Sequence, residues 1–229
     1  MENRASNWMA EPTPLSLVVL ISGRGSNLRA ILDAIASGRL AATVSAVISS
    51  NASASGLEYA RSNNIDILAL DPADYPDRIQ YDRALLGLID RFNPELVVLA
   101  GFMRVLSTEF VQHFRGRLIN IHPSLLPAFR GLHTHRKALE AGATEHGASV
   151  HFVTEELDGG PVIAQAEVPI LADDTAETLA ARVLEQEHRL YVQVIAWIAE
   201  GRIRCEAEQV WFDEQPLQQP RQLYSPAGQ

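Results

Sequence analysis

A mostly parallel, twisted α/β sheet flanked by helices is predicted by three features of this chain. Short, continuous apolar runs recur at residues 17–21, 44–48, 67–70, 96–100 and 118–121. A strand buried on both faces needs such runs, whereas a strand with one wet face would alternate apolar and polar residues. Helical patterns at 56–62, 77–91 and 108–113 separate the runs, and this alternation argues for right-handed βαβ units. The third feature is a glycine-punctuated turn, Ser22-Gly23-Arg24-Gly25-Ser26-Asn27, directly after the first run.

The run LVVLI (17–21) stops at Ser22-Gly23, as a buried strand would. Ser26 is placed to cap the next helix, which carries Leu28, Ile31, Leu32 and Ile35 at helical spacing. Beyond Pro127 the pattern changes to a short helix at 134–140, strands at 148–153 and 162–170, and a long helix at 175–199. Residues 1–16 and 214–229 are polar and Pro- or Gln-rich without period, so they are expected to be flexible extensions of one domain at 17–213.

At 229 residues and 47% hydrophobic content, the chain can bury a sizeable core. With 28 acidic against 19 basic residues, its net charge of −9 argues against a nucleic-acid face or an anionic membrane surface. No run approaches the roughly 18 apolar residues of a membrane span. Cys205 is the only cysteine, which rules out an internal disulfide framework and suits a reducing cytoplasm as a small, half-buried apolar residue.

Asn120 and His122 close the apolar run of LINIHPSLLPAFRG (118–131). Residues two apart on a strand face the same way, so amide and imidazole would project together beyond the strand's carboxyl end. Pro123 and Pro127 stiffen the loop after that strand. Asp158 precedes Gly159-Gly160-Pro161, a turn with close backbone approach. Asp158 either bonds its own turn or joins His122; amide, imidazole and carboxylate together suit acyl chemistry at a carbonyl. In an open, Rossmann-like sheet, ligands sit outside the carboxyl ends of the strands, where the 23–27 turn, the 101–106 segment and Asn120–His122 should converge.

The turn at 22–27 offers backbone N–H groups, a hydroxyl and an amide at a helix N-terminus. That suits a phosphate; the alternative is a tight turn in which Ser26 only caps the helix. A dinucleotide site would want glycine at Leu28 and an acid near Ser49-Ser50-Asn51, and a Walker loop would need Gly-Lys-Ser/Thr. Glu187 falls within the helical stripe of Val183, Leu190, Tyr191 and Val194. A carboxylate there needs partial exposure, an arginine such as Arg104, or a substrate amine. His133 and His135 lack companion ligands, so no metal is expected. A serine-nucleophile G-x-S-x-G motif is absent from the sequence.

With these residues assembled, the chain resembles the phosphoribosylglycinamide formyltransferases, a folate-dependent family of purine biosynthesis. The segments that carry the resemblance are VVLISGRGSNL, VVLAGFMRVLS, INIHPSLLP, GLHTHRKALE and GASVHFVTEELDGGPVIAQ, within residues 17–213. The resemblance implies the formyltransferase fold, with antiparallel strands in the C-terminal half. It implies formyl transfer from 10-formyltetrahydrofolate to the glycinamide amine of 5-phosphoribosylglycinamide, without metal, nucleic acid or membrane, in a cytoplasmic monomer or homodimer. Carried over by position, Asn120, His122 and Asp158 are catalytic, and Gly25, Ser26 and Asn27 form the phosphate loop. Glu187 contacts the glycinamide portion. Met103, Arg104, Val105, Leu106 and Asn120, with the backbone of Thr154, Glu155, Glu156, Leu157 and Asp158, form the folate pocket. Arg24 and the Ala128-Phe129-Arg130 stretch occupy places where relatives differ.

Three rivals remain. A formyltetrahydrofolate deformylase would carry an N-terminal regulatory domain and tend to have histidine at Pro123. A methionyl-tRNA formyltransferase would need a tRNA-binding domain. A non-catalytic folate or nucleotide sensor could use the same scaffold.

Overall fold

The five apolar runs become β1 (Leu15–Ile21), β2 (Ala42–Ser49), β3 (Asp66–Ala69), β4 (Leu96–Leu99) and β5 (Leu118–His122) in a computed structural model that describes residues 13–223. Between them lie α1 (Ser26–Ala36), α2 (Ser55–Ser62), α3 (Arg78–Asp90) and α4 (Thr108–His113), with a short 3₁₀ turn at Pro72–Asp74. The second half adds α5 (Thr134–Glu140), β6 (Glu145–Phe152), β7 (Val162–Pro169) and α6 (Ala176–Ala199). It ends in β8 (Ile203–Glu206), β9 (Gln209–Phe212), β10 (Gln215–Pro216) and β11 (Arg221–Gln222).

The main sheet has the order β11-β7-β6-β5-β4-β1-β2-β3, and β10-β9-β8 form a small second sheet. Strands β1 to β5 are parallel, while β6 runs antiparallel to both β5 and β7. The chain starts in the middle at β1, moves outward to β3, then returns across β1 to build β4 and β5. That reversal leaves a crevice at the carboxyl ends of β1 and β4, where open α/β sheets bind ligands.

Period-2 alternation in β1 assigns its side chains to opposite layers. Leu17, Val19 and Ile21 pack with α1, α2 and α6, while Val18 and Leu20 pack with Tyr81, Leu85 and Ile89 of α3 and with Phe110 and Phe114. Each of these side chains is fully or almost fully buried, and full burial of one large apolar side chain stabilises by about 1.5–3 kcal/mol. Tyr191 of α6 reaches through the first layer, its hydroxyl donating to Leu99 O (3.0 Å) and Ile119 O (3.1 Å). It thereby ties the long helix to the ends of β4 and β5.

Three expectations change. Ser26 does not cap α1: Gly25 holds the N-cap position with φ 69°, no side chain caps the helix, and Ser26 is its first residue. Strand β1 begins at Leu15, inside the expected N-terminal extension, whose residues 1–12 lie outside the described residues. At the other end, β10 pairs with β9, β11 pairs in parallel with β7, and Leu223 N–H donates to Gln165 O at 2.8 Å. Residues 215–223 thus take part in sheet pairing where a flexible tail was expected; 224–229 lie outside the described residues. The β8–β9 hairpin was not read from the sequence either. Its turn, Ala207-Glu208, has φ of 48° and 64°, a left-handed geometry normally signalled by Asn or Gly.

Candidate active site

Three strands end side by side at the crevice, in the order β5-β4-β1, and candidate residues hang from each end. After β1 the chain must turn sharply beside α2. Gly25 is left-handed, and a Cβ there would lie 2.9 Å from Gly56 Cα, so conformation and space both require glycine. Asn27, in the first turn of α1, is buried and its Nδ2 donates to Glu187 Oε2 at 2.8 Å. Burial pushes the Glu187 carboxyl above its ordinary range, and the Asn27 bond offsets this only in part. Asn27 Oδ1 is buried with no partner among the described residues. Arg104, a partner considered for Glu187, instead has its guanidinium over the Tyr81 ring, 5.4 Å from the centroid.

After β4 comes the irregular segment 101–107. Met103 is 69% exposed and Val105 half exposed, Leu106 is half-buried, and Arg104 is exposed. This row of surface apolar groups beside a polar cleft is suited to a flat, partly apolar ligand.

The end of β5 brings Asn120 and His122 together on one face, as their spacing predicted. They pair across the sheet with His151 and Ser149 of β6. His151, 2% exposed, places Nδ1 2.9 Å from Phe152 O. A carbonyl only accepts, so Nδ1 carries the hydrogen and Nε2 accepts from Asn120 Nδ2 at 3.2 Å. Burial lowers the His151 pKa, which suits a neutral ring in this role. The Asn120 amide is therefore oriented, with a second hydrogen left for another acceptor.

His122 stands between two acceptors. Its Nε2 is 3.1 Å from Phe129 O, and its Nδ1 is 3.5 Å from Asp158 Oδ2. The side chains of His122 and Asp158 are 7% and 9% exposed. Asp158 adopts φ 48°, a left-handed conformation that Asp tolerates better than most residues. It does not bond its own turn: Oδ2 accepts Gly131 N–H at 2.9 Å, and Oδ1 lies 3.9 Å from His151 Nε2. The turn is held because Gly160 packs on strand β6, where a Cβ would meet Phe152 O at 1.9 Å. Of the other turn residues, Thr154 is half-buried and Leu157 is exposed. Glu155 accepts from Gln112 Nε2 at 3.1 Å, and Glu156 pairs with the Arg130 guanidinium.

The loop carrying Phe129 and Gly131 is anchored from two strands. Ser149 Oγ donates to Ser124 O (2.7 Å) and accepts from Leu126 N–H (3.0 Å), while Gln165 Nε2 donates to Leu126 O (2.9 Å). Sequence reading missed His151, Ser149 and Gln165. The available signal was alternation in β6, where Ser149 and His151 interleave with apolar Ala148, Val150 and Phe152. His133 holds the N-cap position before α5 with φ 60°, and His135 Nδ1 lies 3.2 Å from His146 Nε2. Burial lowers the pKa of both rings of that pair, His146 to about 4. Among the described residues no group of three or more His, Cys, Asp or Glu side chains could hold a metal ion, and no helix is long and apolar enough to cross a membrane.

The formyl transferase family pattern matches residues 15–195, which take in the crevice from β1 to Glu187. The chain belongs to the formyl transferase family. This formyl transferase is 54% identical to the phosphoribosylglycinamide formyltransferase of Escherichia coli (strain K12), over 92% of its own length and 99% of that relative. The solved phosphoribosylglycinamide formyltransferase of Coxiella burnetii superposes with a TM-score of 0.89 and 48% identity, covering 92% of this chain and 100% of the other. A formyltetrahydrofolate deformylase from Pseudomonas putida KT2440 is more distant, with 28% identity and a TM-score of 0.80 over 89% of this chain and 72% of that one.

Proposed function

We propose that this formyl transferase moves the formyl group of 10-formyltetrahydrofolate to the glycinamide amine of 5-phosphoribosylglycinamide, giving formylglycinamide ribonucleotide and tetrahydrofolate, a step of purine biosynthesis. The observation that carries this reading is the meeting of Asn120, His122 and Asp158 at the carboxyl end of β5. In support, the relative 54% identical over nearly its whole length bears the corresponding name.

The residues present fit both ligands. Asn27 Oδ1, buried without a partner among the described residues, and the Glu187 carboxylate can accept hydrogens from the amine substrate. The backbone N–H groups at the start of α1, with the Ser26 hydroxyl, suit its phosphate. Exposed Met103, Val105 and Leu157 suit the flat face of a pterin. When bound, the folate donor supplies the electrophilic one-carbon carbonyl.

Acyl transfer needs hydrogen-bond donors where charge develops on the carbonyl oxygen. Asn120 offers its remaining amide hydrogen, held in direction by His151. His122 offers Nε2–H by exchanging its present acceptor, Phe129 O. The Asp158 carboxylate, 3.5 Å from Nδ1, faces the other side of the same ring. As the amine nitrogen bonds to the formyl carbon and the bond from that carbon to the folate nitrogen breaks, Asp158 serves as the local base that takes the proton shed by the amine and relays it, through water, to the departing nitrogen.

The test is turnover of 10-formyltetrahydrofolate, followed by absorbance, with and without the ribonucleotide, and with product identified by mass. Formylated ribonucleotide formed only when both are present is the expected result. Equal turnover without the ribonucleotide would mean a deformylase, and no turnover in either case would mean a sensor.

A further inference from the structure

We propose that Ser22, supported by Ser50, is a positioning residue that sets the formyl-donor pocket by clamping the backbone of the 101–107 segment; this rests on the formyl-transfer reading above. Ser22 is the first residue after β1, at the point where the strand order reverses. Its N–H donates to Gly101 O at 3.1 Å, and its Oγ accepts Met103 N–H at 2.9 Å. The two bonds bracket Phe102, whose side chain is buried, and fix the direction in which Met103, Arg104 and Val105 leave the sheet. Gly101 makes the bend with φ 76°, a conformation open to glycine at little cost.

The clamp needs its own support. The hydroxyl that accepts from Met103 also shares a hydrogen bond with Ser50 Oγ at 2.7 Å, in which either oxygen can donate. Ser50 is placed by the end of β2, where its N–H donates to Ile21 O at 3.2 Å. The far end of the segment is held separately, by Ser107 N–H donating to the buried Asp82 carboxylate at 2.5 Å. Between these anchors Arg104 stacks over Tyr81 and Leu106 is half-buried, while Met103 and Val105 are exposed, so for those two apolar side chains backbone anchoring decides where they stand. Ser22 also precedes the Gly23–Asn27 turn, so one residue connects the two ligand regions. Removing only its hydroxyl leaves the bond to Gly101 O and the turn's backbone intact.

The experiment varies both substrates for the wild-type protein, Ser22→Ala and Ser50→Ala, and follows hydrogen exchange at the Met103 amide. Loss of the exposed Met103 N–H bond together with the partly buried bond to Ser50 predicts a KM for the formyl donor raised about fivefold to twentyfold in Ser22→Ala, with a smaller rise in Ser50→Ala. The KM for the ribonucleotide and kcat should stay within about threefold, and Met103 should lose exchange protection. An unchanged donor KM in Ser22→Ala, or a loss spread equally over both substrates and kcat, overturns the proposal. Transfer by the wild type alongside an unaffected variant would sink this inference alone; absence of transfer by the wild type would sink the function beneath it.

Discussion

Asp174, just before α6, and Glu187, in its middle, are two carboxylates held in opposite ways. Asp174 takes both guanidinium nitrogens of Arg182 (2.7 and 2.8 Å), the Leu171 N–H (2.8 Å) and the Thr178 hydroxyl (2.8 Å). Those bonds, led by Arg182, hold its pKa well below the ordinary carboxylate range. Glu187 is buried under an apolar stripe with one neutral amide for company, and burial holds its pKa high. A carboxylate kept for structure gathers enough donors to satisfy its charge. One left short of donors in a buried crevice is arranged for something that arrives from outside. Asp158 sits nearer the second case, with one backbone N–H and two histidines around it.

The largest effect should come from Asp158→Asn. It keeps the size and the acceptor for Gly131 but removes the charge and the base, so kcat should fall by about 10²–10⁴-fold, with ribonucleotide binding by calorimetry nearly intact. Near-normal turnover would remove Asp158 from the chemistry and place it with Asp174.

Next is Glu187→Gln. It keeps an acceptor for Asn27 but loses the charge, so the KM for the amine substrate should rise by about tenfold or more. Stability should move the other way. Because the folded pKa of Glu187 is raised, its favourable contribution is complete below the ordinary carboxylate range and is lost as pH rises through the raised pKa. The variant should therefore melt like the wild type in acid and above it near neutrality. Melting curves against pH that never separate would refute the assignment of a buried, costly carboxylate.

Tyr191→Phe should cost about 1–2 kcal/mol in denaturant unfolding, because the carbonyls of Leu99 and Ile119 lose a buried donor next to Asn120. A result within experimental error of wild type would show that α6 is held to the strand ends by packing alone.

The smallest effect should be that of Asp174→Asn, whose Arg182 partner is partly solvated. With a lowered folded pKa, Asp174 stabilises above the ordinary carboxylate range, and this is lost as pH falls through the folded value. The variant should melt slightly below wild type at neutral pH and converge with it in acid, with unchanged turnover per folded molecule. A loss of turnover would erase the contrast between the two carboxylates.

The sequence by itself determined the parallel half of the sheet, because unbroken apolar runs and helical stripes record burial on both faces of β1, β4 and β5, and the same kind of run marks the half-buried edge strand β3. It also determined that Asn120 and His122 point the same way, since strand geometry turns residues two apart to one face, and that Glu187 is out of place on its stripe. Local pattern could not reach Asp158's partner, Gly131 N–H, or His151, which orients Asn120 from the neighbouring strand. Nor could it reach the Ser149–Gln165 anchor of the loop after β5. Strands β10 and β11 were invisible for a related reason: two-residue strands carry no period, and their order comes from the open edges of β9 and β7. Ser26 looked like a cap because Ser commonly is one, and only the left-handed Gly25 beside Gly56 shows that the turn caps itself otherwise. Periodicity reports which face of an element is buried. Which residues meet at the crevice is decided by hydrogen bonds between segments far apart in the chain, and these exist only once the sheet has assembled.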